Sequence, residues 1–367
     1  MKVTISRNEL FEKLSGIQSI VDKKSTMPIL SHFLLNVDET SNITATDLET
    51  AITEPLEILS TDEPGTLCLP ARRLYEIVRE VDGDIRLESE DSEWVKISSG
   101  KSSFRIACMN PEDFPKWPEI TEKRALTVGM EKLKEMIDRT LFSAGESDTR
   151  YTLNSLLFHI KPEEKTLRVV GTDGHRLSMI STEIEVDFQE EQKLIVPRKS
   201  ASELRKFLSS HDGDVTIDVT SKHVIFNIGD IRFLVRLIEG NYPAYEQVIP
   251  VNNQRKLTIN REDFLKALKR VSIISREKSY AVKIDVAEGM LTLTASHPDV
   301  GEATDEVSIK YSGEPISLGF NARYLMDALN NMDSEEVFFE IQEPLTPTLL
   351  RETNREDYLS VIMPMRI

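Results

Sequence analysis

The chain repeats itself three times with a period near 125 residues. A strand followed by an amphipathic helix comes first. It appears as Lys2-Val3-Thr4-Ile5 leading to Leu10, Leu14 and Ile17, then as Leu126-Thr127-Val128 leading to Leu133, Ile137 and Leu141. The third copy is Lys256-Leu257-Thr258-Ile259 leading to Phe264, Leu268 and Val271. Apolar residues three and four apart share one helical face. Asn260 offers the third helix an N-cap, with Glu262 and Asp263 in its first turn. Next in each copy come two strands meeting at a polar turn, marked by Thr46-Asp47, Thr172-Asp173 and Ser296-His297. Each copy then has a strand ending in a second helix, at Pro70-Ala71-Arg72-Arg73, Pro197-Arg198-Lys199 and Asn321-Ala322-Arg323. Proline is expected in the first turn of these helices, where its missing N–H costs nothing.

Solenoid repeats recur at about 20–50 residues, so here whole domains repeat. Three periods account for nearly all of the 367 residues. The expected domains are 1–121, 122–252 and 253–367. Their boundaries fall in polar, proline-bearing stretches, Pro115 to Arg124 and Pro250 to Arg255. Each should hold two helices and about eight strands. Alternation such as Ile85-Arg86-Leu87-Glu88 and Val215-Thr216-Ile217-Asp218-Val219 predicts sheets with one buried and one wet face. The fold class is α+β, with helices packed on antiparallel sheets.

The net charge is −17, which by itself argues against a nucleic-acid partner, since phosphate contacts need Lys and Arg. The charge is unevenly distributed. The predicted helices 7–21, 130–144 and 322–332 are neutral, 72–80 carries +1, and 198–210 and 261–276 carry +3 each. The rest of the chain is left at −24. If matched helices of a repeat protein line a ring, the lining is electropositive and the outside acidic. A modest cationic excess holds a duplex without reading base edges, so the ring slides.

No stretch approaches eighteen apolar residues, and Met1-Lys2-Val3-Thr4-Ile5-Ser6-Arg7 leads straight into a strand rather than a signal sequence. Cys68 and Cys108 are too few for a disulfide framework and suit buried thiols in a reducing compartment. A cytoplasmic, nucleoid-associated location is expected. The six histidines are dispersed, without metal-ligand spacing, and no metal or cofactor is expected. Gly100-Lys101-Ser102 resembles the end of a phosphate-binding loop, but Val95 stands where that loop needs glycine.

Four strings in order, on the threefold repeat, carry a resemblance: Pro70-Ala71-Arg72, Gly171-Thr172-Asp173-Gly174-His175-Arg176-Leu177, Asn241-Tyr242-Pro243 and Val361-Ile362-Met363-Pro364-Met365-Arg366-Ile367. Over its whole length the chain resembles the bacterial DNA polymerase III beta subunit, the sliding clamps. The resemblance implies three clamp domains per chain, forming a crescent that closes as a head-to-tail dimeric ring around duplex DNA. It implies a non-catalytic processivity factor, a clamp-loader ATPase, and replicative, translesion and repair partners that dock through short peptide motifs.

Carried over by matching position, the deeper part of the peptide groove uses Leu153, Thr172, Gly174, His175, Arg176, Leu177, Pro243, Val248, Val361 and Ile362. The outer part uses Asn321, Tyr324, Met363, Pro364, Met365 and Arg366, with Leu345 and Pro347 along the floor. Methionine is soft and adaptable, suited to a surface that accepts several peptides. DNA-facing residues are expected at Lys23, Lys24, Arg72, Arg73, Arg150, Tyr151, Arg198, Lys199, Lys266, Lys269 and Arg270. The rival reading is a nucleic-acid-processing enzyme using Asp173, His175 and the carboxylates Glu88, Glu90 and Asp91. Such catalysis needs a nucleophile, or carboxylates converging on a metal, and the spacing supplies neither.

Overall fold

The computed structural model describes residues 1–21, 26–118, 124–147, 149–186, 188–251, 253–275 and 280–366. Lys23 and Lys24 lie outside the described residues. Six helices form: α1 (Arg7–Ile17), α2 (Ala71–Glu80), α3 (Met130–Leu141), α4 (Arg198–Leu208), α5 (Arg261–Ser275) and α6 (Ala322–Asn330). Each follows a strand at the position its periodicity predicts. Leu10, Leu14 and Ile17 of α1, Leu133 and Ile137 of α3, and Phe264, Leu268 and Val271 of α5 are buried. Asn260 accepts the Asp263 amide at 3.1 Å, capping α5, and Asn321 accepts that of Arg323 at 2.9 Å, capping α6.

The prolines stand one place earlier than expected. Pro70 is the N-cap of α2, with extended backbone, and Pro197 ends the strand before α4. Lacking an N–H, proline suits the end of a ladder and the start of a helix equally well.

The chain forms two compact units. The first comprises Met1–Leu133, Glu185–Phe188 and Ser202–Leu237. It contains a five-stranded sheet, with Lys2–Ile5 inside it and Ser102–Ala107 at one edge, and an eight-stranded sheet from Arg124–Gly129 to Gly65–Pro70. In the larger sheet the strand Ile231–Arg236 pairs with Thr50–Pro55, joining parts of the chain about 180 residues apart. The second unit comprises Lys134–Ile184, Gln189–Ala201 and Ile238–Ile367, and holds one twelve-stranded sheet. Its central join is the pairing of Arg176–Glu183 with Tyr358–Ile362, residues near the middle and the end of the sequence. Every pairing among the described strands is antiparallel.

The polar turn is built the same way in the first two repeats. Asp47 accepts the amides of Glu49 and Thr50, and Asp173 those of His175 and Arg176. Thr46 and Thr172 accept the next amide, of Leu48 and Gly174. The third turn position has positive φ in both, +73° at Leu48 and +87° at Gly174. The Asp and Thr side chains that accept these amides, rather than a glycine, define the turn. In the third copy the His297 ring takes over, receiving the Asp299 amide at 3.2 Å.

Candidate functional site

A cavity of about 130 Å³ opens in the second unit beside the central join of its sheet. Eleven residues line it: Arg150, Leu153, Thr172, Gly174, Arg176, Leu177, Pro243, Tyr245, Val248, Val361 and Met363. They come from the 3-10 turn Tyr151–Leu153, the polar turn after Thr166–Thr172, the loop of Pro243 to Val248, and the last strand. Behind it lies an apolar cluster of Leu157, Val170, Leu177, Ile195, Tyr245, Leu349, Leu359 and Val361. An apolar floor with a few polar groups at its mouth is the usual make-up of a ligand site.

The polar wall is Arg176. Its Nε donates to Asp173 Oδ2 at 3.0 Å and its Nη1 to Asp327 Oδ2 at 2.5 Å. The guanidinium lies 4.6 Å from the Tyr324 ring centroid and 5.6 Å from that of Phe142. Two carboxylates and two rings therefore fix its direction. Gly174 takes its positive φ without the strain that Leu48 bears at the matching position, and a Cβ there would approach Arg150 Nη2 to 3.2 Å. Tyr242, adjacent to Pro243, donates its hydroxyl to Val170 O at 3.2 Å, and burial raises its pKa.

The C-terminal segment ties the site together. Beyond the strand Tyr358–Ile362, the Met363 amide donates to His175 O at 2.9 Å and the Met365 amide to Gly319 O at 2.8 Å. It runs beside the start of α6, where Asn321 and Tyr324 lie. The His175 ring stacks on Tyr324, centroids 6.3 Å apart and 16° between planes. Met363, Pro364 and Met365 are half-buried and Arg366 is exposed.

Eight of the ten residues expected in the deeper groove line the cavity. Ile362 does not: it is buried, and strand alternation sends its side chain to the face opposite Val361 and Met363. His175 is exposed on the turn, against Tyr324 instead. Leu345, 55% exposed, and Pro347, half-buried, are not among the lining residues. They precede Thr348, which pairs with Ile362, and so come at the same end of the ladder as Met363.

Two lining residues differ from expectation. Arg150, assigned to DNA on sequence, lines this cavity. Tyr245 was missed. Its signal in the sequence is an aromatic two residues past Pro243, just beyond the Asn241-Tyr242-Pro243 string.

Among residues expected to face DNA, Arg72 and Arg73 are exposed on α2, each paired with Glu76. Lys199 is exposed at the start of α4, and Lys266, Lys269 and Arg270 on α5. Lys266 pairs with Glu262 and Arg270 with Asp305. Tyr151 is 77% exposed. Arg198 is different: its Nη1 donates to Leu141 O at 2.5 Å and Ala144 O at 2.7 Å, beyond the end of α3, and its Nη2 to Glu146. Leu141 O, at the last residue of α3, otherwise accepts only a long 3.3 Å bond from the Ala144 amide, so these end-of-helix carbonyls have capacity left for a guanidinium that turns inward to them.

The carboxylates of the rival enzyme reading are each held separately. Glu88 pairs with Lys2, Glu90 with Arg105, and Asp91 accepts the amides of Glu93 and Trp94. Among the described residues no cluster of His, Cys, Asp and Glu is arranged to hold a metal ion, and no helix is long and apolar enough to cross a membrane.

Family models of the DNA polymerase III beta subunit match in chain order: the N-terminal domain over residues 1–118, the central domain over 127–244 and the C-terminal domain over 246–366. The beta sliding clamp of Pseudomonas aeruginosa is 32% identical over 369 residues, covering both chains completely. That of Caulobacter vibrioides is 36% identical over 373 residues, again over both full lengths. The crystal structure of the P. aeruginosa DNA polymerase III subunit beta superposes with a TM-score of 0.95 over the whole of both chains. A Bartonella birtlesii sliding clamp solved bound to griselimycin, 35% identical and covering both chains fully, matches with a TM-score of 0.93. The chain belongs to the DNA polymerase III beta subunit family, the beta sliding clamps.

Proposed function

We propose that this chain is a sliding clamp that encircles duplex DNA and tethers the replicative polymerase and other DNA-processing proteins, catalysing nothing itself. The observation that carries the proposal is the apolar cavity sealed by Val361 and Met363 at the end of the chain, with the anchored Arg176 at its mouth. It suits a short apolar peptide segment, and griselimycin is bound by relatives from P. aeruginosa and B. birtlesii. Partner proteins dock there through short motifs. Leu153, Thr172, Gly174, Arg176, Leu177, Pro243, Val248 and Val361 form its deeper part, and Asn321, Tyr324 and Met363 to Arg366 its outer part.

The protein works as three domains, 1–121, 122–252 and 253–367, in a head-to-tail homodimer opened by a loader ATPase. Ser102–Ala107 supports closure through strand pairing: it is an edge of its sheet, with residues 102, 103, 105 and 107 exposed. An edge of this kind is covered in a stable assembly. The helices support a cationic lining. The helices α1, α3 and α6 are neutral, while α2, α4 and α5 carry +1, +3 and +2, against −17 for the chain. DNA then meets Arg72, Arg73, Lys199, Lys266 and Lys269 through its phosphates alone. A tethered polymerase stays at high effective concentration on its template. Such a clamp works in the cytoplasm, at the nucleoid.

Sedimentation tests the assembly. A mass about twice the 41.8 kDa of the chain is expected; a monomer at micromolar concentration contradicts a two-subunit ring.

A further inference from the structure

We propose that His159 is a positioning residue for the groove, holding the Tyr245 ring in the cavity wall through a hydrogen bond that only the neutral imidazole makes. This rests on the groove being a peptide site. Tyr245 lines the cavity and is packed with Leu177 and Val361, which also line it. A tilt of this ring would reshape the wall. What holds the ring lies behind it, out of reach of any ligand.

His159 is fully buried in the strand Ser155–Lys161. Its Nδ1 is 2.7 Å from the Tyr245 hydroxyl, and the rings meet edge to face, 5.7 Å apart at 88°. Its Nε2 contacts the Glu191 carboxylate. A carboxylate accepts, so Nε2 carries the proton and Nδ1 offers its lone pair to the tyrosine hydroxyl. Glu191 thereby selects the tautomer that Tyr245 needs.

Protonation of Nδ1 would turn this acceptor into a donor facing a hydroxyl. The tyrosine proton would then need another acceptor, and the neighbouring Arg168 guanidinium, a donor only, has none to offer. The surrounding charges are mixed. Arg168 stands opposite His159 on one neighbouring strand and Lys193 on the other, with Lys161 two residues along. Glu191, Glu246 and Glu164 supply the negative charge, and the last two already engage Lys161 and Arg168. Burial outweighs Glu191 and lowers the imidazole pKa. Neutral His159 is thus the form present near pH 7, and the contact fails as pH drops through the lowered value.

Griselimycin affinity, measured calorimetrically on the full-length protein from about pH 8 to about pH 5, tests this. Wild type should bind with steady affinity near neutrality and weaken several-fold toward the acid end. His159→Phe and Tyr245→Phe should each lose about tenfold at neutral pH, the worth of one buried hydrogen bond, and the double variant no more than either alone. His159→Asn, whose amide oxygen stands in for Nδ1 and does not titrate, should bind like wild type with a flat acid limb. His159→Phe and Tyr245→Phe both within twofold of wild type would overturn the proposal, as would an acid limb in His159→Asn as steep as the wild-type one. Failure of wild type itself to bind griselimycin would instead remove the groove reading on which the proposal stands.

Discussion

Arg176 and Asp327 meet at 2.5 Å, Nη1 to Oδ2, linking the polar turn of the second repeat to α6 of the third. The pair is mostly screened from solvent, the side chains being 10% and 29% exposed. Asp173 and two rings hold the same guanidinium, so Arg176 presents one fixed face to the cavity. Asp327→Ala removes the longer-range of its two carboxylate partners. Griselimycin binding should weaken several-fold, with a loss of about 1–3 kcal/mol in stability. Calorimetry and denaturant unfolding check the two effects. Unchanged affinity would show that Asp173 and the rings suffice.

Gly171 has no room for a side chain. A Cβ there would lie 2.2 Å from Thr140 O, a backbone atom, and 3.0 Å from Leu156 Cδ2. Gly171→Ala therefore forces α3 away from the strand Thr166–Thr172. A loss of at least about 2 kcal/mol is expected, read as a lower thermal midpoint. A midpoint equal to wild type would contradict the close approach.

Much of this was legible in the sequence because it repeats. Strand-then-helix placement, the Asp47 and Asp173 turns and the burial of Leu10, Leu133 and Phe264 follow from periodicity and local turn chemistry, which short segments carry. What was not legible depends on pairing between distant segments. Nothing local distinguishes Arg198, which turns inward to Leu141 O and Ala144 O, from Lys199, which is exposed. Tyr245 reads as a loop aromatic until the strand Tyr358–Ile362 closes the cavity around it. Which of Val361 and Ile362 lines the cavity depends on alternation along the strand, which a motif read as a string does not carry.

Removing Met363 to Ile367 takes away one cavity wall and the amides that bond His175 O and Gly319 O. Griselimycin binding should be abolished, while sedimentation gives the same mass as wild type. Undiminished affinity would refute the groove assignment.

Lys266→Glu with Lys269→Glu reverses two exposed charges on α5 without touching the cavity. Loading onto DNA should fall, with a shallower salt dependence because fewer phosphates are neutralised, and with griselimycin affinity unchanged. Arg198 suits this test poorly, because its reversal would place a carboxylate against the carbonyls it now caps. An unaltered loading yield for the α5 pair would count against a DNA-facing α5.

The most direct test of encirclement is retention on DNA of different topology after loading. Clamps loaded by the loader ATPase onto closed circular DNA should stay bound through gel filtration and be lost when one cut linearises the circle. Equal retention on circular and linearised DNA would contradict a sliding ring.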